Sequence, residues 1–516
     1  MIISFASKWA HPGVEAPLGG IHYGRAPHSL QEFVAEQEYP QTYNTTNPKH
    51  HNEVYYAPYQ HHFTLNGLKP NTTYYYVPVV GKRSDGAKAL ELKPLRDHWT
   101  QHSQQEQHGQ ENLQAENNIR GEEDVNDEEE DTSRRQTRRR NRLFRRRLAP
   151  PPYNGSDKPC AEGGRVRSFT TAPAAVTSSS STKDNDVIPV KFAIMGDLGQ
   201  FDHSRETLEH LSNHSDDIDA VVLVGDIAYT DYDPRRWDTF MDFLDDFSIF
   251  DQVPLQIAAG NHDMEKQENR TEVFQAYEYR FRMPRVKPPH FEPYHHEGPL
   301  NMEFAPYPVP YDWGNGYYSF IIGPAKTIVI NAYASMEPDS PQYNWVMAEL
   351  ESVDRAATPW LLVSIHVPFY NTFSIHHKDP SIHAARKHIE PLLVKHHVNV
   401  VFNGHIHAYQ RTTNVALNVT TATGPLHITI GAGGRQCDGA FTSPEPEPYI
   451  VARDASYFGY GTFEIFNRTH AEWKWIPLSP SNLHDFNYVH HFKDEHLPSL
   501  EEDGVVLENQ FFLLED

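Results

Sequence analysis

The sequence is poor in cysteine, with only Cys160 and Cys437 among 516 residues. Two thiols supply no disulfide framework; one bridge and two free thiols are equally compatible with them. So few, so far apart, they also exclude a structural zinc finger. Long apolar runs are missing as well: nothing approaches the ~20 residues of a membrane-spanning helix. The opening, MIISFASKWAHPG, lacks the basic and apolar regions of a signal peptide. Positive charge is scarce, with 45 Lys and Arg against 69 Asp and Glu and a net charge of −24. That balance argues against general nucleic-acid binding, which needs a basic face to displace counterions. An acidic protein can still act on anionic phosphates when its site carries metal charge.

A chain of 59.2 kDa with 38% hydrophobic residues and a mean hydropathy of −0.65 has room for two or more domains and suits a soluble protein. Seven N-x-S/T sequons, at Asn44, Asn71, Asn154, Asn213, Asn269, Asn418 and Asn467, point to the secretory route. Set against the unpromising start, they lead to the expectation that a natural beginning is missing, with a secreted or vacuolar/lysosomal destination.

Residues 1 to about 90 read as β, with MIISFAS, GGIHYG and HHFTLNGLKPNTTYYYVPVVG as strand and turn segments; RVRSFTTAP closes the series. From about 98 to 152 the chain turns Gln/Asn/Glu-rich, then acidic, then arginine-rich. Opposite charge blocks with few apolar residues predict a disordered insertion at a loop tip, largely self-neutralising. Residues 174–186 read as a linker, 187–480 as a second domain, and 481–516 as an acidic tail. From Val187 the pattern becomes α/β: apolar runs such as PVKFAIM, AVVLV, VPLQIAA, PWLLVSIH and VNVVF alternate with polar loops. SRETLEHLSNH is too sparse in apolar residues for more than a marginal helix. YNWVMAELESVD has helical spacing, with Trp345, Met347, Leu350 and Val353 near one face, and HAARKHIEPLLVKHH is helical too.

Metal-competent side chains stand at the ends of those runs: Asp197, Asp226, Tyr229, Asn261, His262, His366, His405 and His407. Singly, each is weak evidence, because an aspartate there is usually a turn or cap residue. Among 32 histidines some H-x-H pairs also arise by chance. Five strand ends loaded with oxygen and nitrogen donors are a different matter, since α/β sheets place their sites at strand carboxyl ends. Carboxylates, a carboxamide, imidazoles and a phenol suit hard or borderline ions. Seven donors exceed what one open ion takes, so two ions are expected. Residues i and i+2 of an extended chain share a face, so sending His405 and His407 to different ions requires a turn within GHIH.

The ordered blocks GDLG (196–199), GDIAY (225–229), GNHD (260–263), VSIH (363–366) and GHIH (404–407) resemble those of the purple acid phosphatases, within the calcineurin-like metallophosphoesterases. The flanks HVPFYNT and AYQRT and the segment GYGTFEIFNRTHAEWKW are similar as well. The resemblance implies a metallophosphoesterase α/β sandwich of two mixed sheets flanked by helices. It also implies that residues 1–173 are a fibronectin type III-like β-sandwich that has lost its first strand. By the same likeness Asp197, Tyr229 and His407 hold Fe(III), Asn261, His366 and His405 hold a divalent zinc, manganese or iron, and Asp226 bridges them. A phenol of free pKa near ~10 stays ionised in acid only on a strong Lewis acid, which agrees with that division. His262 and Asn261 would bind the phosphoryl group. His376, or His377 beside it, would stand near the leaving group, and Asp263 would orient His262 or act as a cap.

The implied activity is acid hydrolysis of small-molecule phosphate monoesters by a metal-bound hydroxide, with a homodimer compatible with it. Rival readings are a dinuclear phosphodiesterase or nucleotidase and an inactive extracellular binding protein. Gln410 departs from the plant pattern, which has glutamate, and TDYD replaces the common Ala-Asp.

Overall fold

A computed structural model describes residues 1–9, 16–36, 40–47, 53–82, 91–94, 165–174, 189–265, 273–286, 309, 311–435, 439–480 and 503–509. The expected insertion at 98–152, both cysteines, Asn154 and Asn269 lie outside the described residues, as does nearly all of the linker. The chain forms two compact units, Met1–Pro17 with Glu36–Tyr74 and Arg167–Asp516, and Leu18–Ala35 with Tyr75–Val166.

The strands in chain order begin with β1 (Ile2–Trp9), β2 (Leu18–Gly24), β3 (Glu32–Ala35), β4 (Asn44–Asn47), β5 (Glu53–Tyr56), β6 (Pro58–Thr64), β7 (Thr73–Lys82), β8 (Glu91–Pro94) and β9 (Arg167–Thr170). The smaller unit is built on the antiparallel order β3-β2-β7-β8. In the larger unit β1 pairs with β6, and β4 with β5, both antiparallel.

The rest of the larger unit is an α/β body of two sheets. The first has the order β12-β11-β10-β22-β23-β24, built from β10 (Val190–Met195), β11 (Ala220–Leu223), β12 (Leu255–Ile257), β22 (Tyr457–Ile465), β23 (His470–Pro480) and β24 (Asp503–Glu508). The second has the order β13-β14-β15-β16-β17-β20-β18-β19, with β21 also paired to β18. Its members are β13 (Arg285–Val286), β14 (Gly314–Ile322), β15 (Ala325–Ile330), β16 (Trp360–Ile365), β17 (Val400–Asn403), β18 (Tyr409–Ala416), β19 (Val419–Thr420), β20 (Leu426–Ile430) and β21 (Ile450–Asp454).

Strands β10, β11 and β12 run parallel, as do β15, β16, β17 and β20. Parallel strands covered on both faces need uninterrupted apolar runs, and AVVL and WLLVSI are buried at every position. The sheets meet through aromatic rings: Phe402 of β17 lies 5.6 Å from Phe463 of β22, and Trp360 of β16 lies 6.0 Å from the same ring.

Two helices differ from their sequence reading. Asp202–Asn213 (α1) is a regular helix of 12 residues whose buried face is Ser204, Thr207, Leu208 and Leu211. Two small hydroxyl residues share the buried stripe and disguise it. Ser204 is satisfied locally: its Oγ donates to Leu198 O at 2.5 Å and accepts from Phe201 N–H at 2.9 Å. Pro341–Glu351 (α5) begins at the Ser340 cap and buries Gln342, Val346 and Leu350, leaving Trp345 and Met347 half-buried. Gln342 turns inward because its amide bonds both polar groups of the Asn331 backbone, at 2.8 and 3.0 Å. The helices between are α2 (Arg236–Asp245), α3 (Ile249–Gln252) and α4 (Gln275–Arg280); Pro380–Ala384 (α6) and Glu390–Lys395 (α7) follow α5 and flank a π turn. In the acidic tail, β24 adds an edge strand beside β23.

A buried network joins β4–β5 to this body within the same unit. Arg280 of α4 donates to Asp238 Oδ1 of α2 at 2.7 Å, to Tyr55 OH at 2.6 Å and to Tyr43 OH at 3.0 Å. Tyr55 in turn donates to Asp238 at 2.9 Å. Removing one partner of such a pair strands the other charge in a dry interior, at a cost of about 3–5 kcal/mol. Arg280→Met should therefore lower the melting temperature sharply, while Arg280→Met with Asp238→Leu should recover much of the loss.

Candidate metal centre

Every expected ligand stands just beyond a strand. Asp197 follows β10, Asp226 and Tyr229 follow β11, Asn261 follows β12, His366 follows β16, and His405 and His407 follow β17. The backbone reverses sharply at these points: Asp197, Asp226, Tyr229 and His405 hold left-handed φ angles of 56°, 50°, 51° and 69°. Non-glycine residues there cost about 1–3 kcal/mol each, and such strain concentrates at functional sites. His405 supplies the turn required within GHIH. Close approach also dictates glycine: a Cβ on Gly225 would stand 2.2 Å from His366 Nδ1, and one on Gly404 would stand 2.4 Å from Asp197 Oδ2.

The side chains converge. Tyr229 OH lies 3.1 Å from Asp197 Oδ1 and 2.9 Å from His407 Nε2, and His407 Nε2 is 3.4 Å from Asp197 Oδ1. On the other side, His366 Nε2 is 3.4 Å from Asp226 Oδ1 and 3.3 Å from Asn261 Oδ1. Asp226, His366 and His405 offer ligand atoms within 4.8 Å of one another, and so do Asp197, Asp226 and His407. Asp226 alone belongs to both of these groups. His376, Asp379 and His405 form a third group within the same limit.

The electrostatics fit a cation. Asp197 and Asp226 are 0% and 1% exposed, and among the described residues neither pairs with a lysine or arginine. Two buried carboxylates this close need a compensating charge. The imidazoles are presented for ligation: His366 Nδ1–H donates to Val224 O at 2.8 Å, which leaves its Nε2 facing the carboxylates. Burial alone would lower the His366 pKa, but the charge and hydrogen bond of Asp226, with Asp197 behind, raise it to about 9. His405 goes the other way. Its burial and the neighbouring histidines His366 and His376 outweigh the Asp379 hydrogen bond and bring it down to about 4. Burial and the charges of Asp197 and Asp226 push the Tyr229 phenol well above its ordinary value.

Around this group stand residues with supporting contacts. His262 N–H donates to Asp226 Oδ1 at 2.8 Å, while its ring lies 4.6 Å from that of Tyr229. The partner of its Nδ1 is Asp231, at 2.6 Å. Asp263 accepts instead from the backbone N–H groups of Ile227 at 2.8 Å and Gly260 at 2.9 Å, fixing the two ligand loops to each other. The capping alternative for Asp263 thus describes its contacts, and the TDYD segment supplies the carboxylate on His262. His376 Nδ1 lies 3.0 Å from Asp379 Oδ2, which also meets His405 Nε2 at 2.8 Å. Among the described residues His377 makes no such contact.

Asp379 and Asp231 were not singled out from sequence. Asp379 precedes Pro380 and looks like a helix cap, yet its side chain makes no cap bond. Tyr333, whose OH donates to Asn261 Oδ1 at 3.1 Å, gave no sequence signal. Gln410 is buried and structural, with its Nε2 donating to Tyr370 O at 2.7 Å and its Oε1 accepting from Thr372. Asn44, Asn71, Asn213 and Asn418 are exposed and Asn467 is half-buried.

The chain is similar to known proteins over most of this body. Residues 190–409 match the calcineurin-like phosphoesterase family, and residues 424–485 match the family described as iron/zinc purple acid phosphatase-like protein C. Purple acid phosphatase 18 of Arabidopsis thaliana is 35% identical over 288 residues, 56% of this chain and 59% of that protein. The purple acid phosphatase of Glycine max is 32% identical over 332 residues, 60% of this chain and 66% of its own length. The chain thus spans about three-fifths of the length of the curated relatives it matches. A solved purple acid phosphatase from yellow lupin seeds shares the fold, with a TM-score of 0.58 at 16% identity, over 99% of this chain and 73% of that one.

The pKa directions have a measurable consequence. Ligation needs a neutral His366 and an ionised Tyr229, whereas the metal-free groups hold their protons at neutral pH. Metal loading at neutral pH should release about two protons per chain, and Tyr229→Phe should release one fewer. Calorimetry in buffers of different ionisation enthalpy reads this number; no release would contradict the assignment.

Proposed function

With residues 190–485 being those of a purple acid phosphatase-type metallophosphoesterase, we propose that this chain is an acid phosphatase acting on small-molecule phosphate monoesters through an Fe(III)–M(II) pair. The observation that carries the reading is the phenol of Tyr229, buried between Asp197 and His407 at 3.1 and 2.9 Å. An anionic oxygen donor beside a carboxylate suits a trivalent ion, and the neutral donors Asn261, His366 and His405 suit a divalent one. Asp226, common to both groups of donors, would serve both. The name of one relative, Fe(3+)-Zn(2+) purple acid phosphatase 12 of Arabidopsis thaliana, supports iron with zinc; manganese or a second iron suits the same donors. Bound there, the pair would polarise phosphoryl oxygens and make a nucleophile of water in acid.

The protein's own residues do the rest. His262, braced by Asp231 and by its N–H bond to Asp226, can donate to a phosphoryl oxygen. His376, whose ring lies 4.0 Å from that of His405, faces the same group from another loop and can deliver a proton to the departing alkoxide. Asp379 fixes the His376 ring through Nδ1, leaving Nε2 for the ester. Tyr333 holds the Asn261 carboxamide oxygen in place.

The exposed sequon asparagines support a secretory route to a secreted or vacuolar/lysosomal destination. Among the described residues no helix is long and apolar enough to cross a membrane.

The purified protein should absorb in the green and hydrolyse p-nitrophenyl phosphate at about pH 5. Tyr229→Phe should abolish the colour, and His262→Ala should lower kcat by about a hundredfold to ten-thousandfold. A colourless, fully active enzyme would favour a phosphodiesterase or nucleotidase with two divalent ions. Equal background rates in wild type and His405→Ala would favour a binding protein.

A further inference from the structure

One cation at the edge of the centre has no place in the mechanism above. Arg435 follows the glycine run Gly431, Gly433 and Gly434, where β-carbons would collide with the backbone of Ile406, Gly196 and Leu198. Its N–H donates to Asp197 O at 3.0 Å, so the residue is tied to the ligand loop itself. The half-buried side chain lies across two rings, with its guanidinium carbon 5.1 Å from the Phe201 centroid and 5.4 Å from that of Tyr229. A second arginine, Arg236 at the start of α2, sits over the same Phe201 ring at 5.9 Å.

Among the described residues neither of these arginines has a carboxylate within ion-pair distance, whereas Arg167, Arg205, Arg280 and Arg411 all do. Stacking holds a guanidinium by its faces and leaves its edge N–H donors for another acceptor. Those donors are preorganised, planar and suited to a phosphate. Tyr229 joins them to the centre: its ring touches Arg435, and its hydroxyl meets Asp197 and His407.

We propose that Arg435, with Arg236 beside it on the Phe201 ring, forms an anion subsite that selects phosphate esters carrying a second phosphate. The proposal rests on the phosphatase reading and adds a substrate class to it. One phosphate would be hydrolysed at the metal centre while the arginines hold the other, so the pair changes binding of bisphosphates and leaves the chemistry alone.

Ethylene bisphosphate and ethyl phosphate test this, since they share a two-carbon alcohol and differ in the second phosphate. The metal-loaded wild type should favour the bisphosphate in kcat/KM. Arg435→Gln and Arg236→Gln should each raise KM for the bisphosphate about tenfold, as expected for one charge-assisted hydrogen bond. For Arg236→Gln, which is clear of the candidate ligands, kcat and the kinetics on ethyl phosphate should stay within about twofold of wild type. Calorimetry with ethylenediphosphonate against ethylphosphonate should show the same loss without turnover, and Arg435→Lys should restore part of it.

Equal loss on both esters, or loss on neither, would overturn the subsite while leaving the phosphatase reading intact. A wild type that hydrolyses neither ethyl phosphate nor p-nitrophenyl phosphate would instead defeat the underlying reading. If Arg435→Gln unfolds, Arg236→Gln and the diphosphonate comparison decide.

Discussion

Two aspartates buried side by side at the ends of neighbouring parallel strands, without a lysine or arginine among the described residues to neutralise them, are the constraint on which this structure depends. Asp197 and Asp226 are almost wholly inaccessible, and their companions are imidazoles, a phenol and a carboxamide. A protein interior tolerates that much negative charge only when positive charge comes with it. Protonated His366 supplies part of the compensation in the metal-free protein, where the carboxylates hold its pKa near about 9. Metal ions would supply more and would displace that proton.

The sheets exist, in effect, to aim these groups. β10, β11 and β12 in one sheet and β16 and β17 in the other deliver their carboxyl ends to a single place. Their mostly apolar, largely buried runs anchor the loops that follow. Left-handed turns at Asp197, Asp226, Tyr229 and His405 then bend each side chain inward, and Gly225 and Gly404 leave room for His366 and Asp197. The strain of those turns is held by hydrogen bonds such as those from Ile227 and Gly260 to Asp263 and from His405 N–H to Asp197. Ligand geometry and backbone strain are therefore parts of one arrangement.

How much of this was readable in the chain follows from distance along it. Strands and candidate ligands were legible because a buried parallel strand announces itself as an apolar run and because each candidate sits one to six residues beyond it. The requirement for a turn inside GHIH followed from strand periodicity and was met. Helix α1 was underrated because Ser204 and Thr207 lie on its buried face, and the face of α5 was misplaced because Gln342 is drawn inward by Asn331. Asp379 was invisible because Asp-Pro reads as a helix start. Asp231 was noticed only as a departure from a family pattern, and its contact with His262 spans two loops. Arg435 and Arg236 lie 199 positions apart and meet on Phe201, a relation that no local pattern encodes.

The same geography separates the two parts of the function. Residues at the strand ends form the candidate centre, while the proposed subsite draws on side chains from α2 and from the glycine-rich turn after β20. The most direct measurement on the central claim is elemental analysis of the purified protein by mass spectrometry. The account expects one iron and one second metal per chain; a single ion, or a pair without iron, would contradict it.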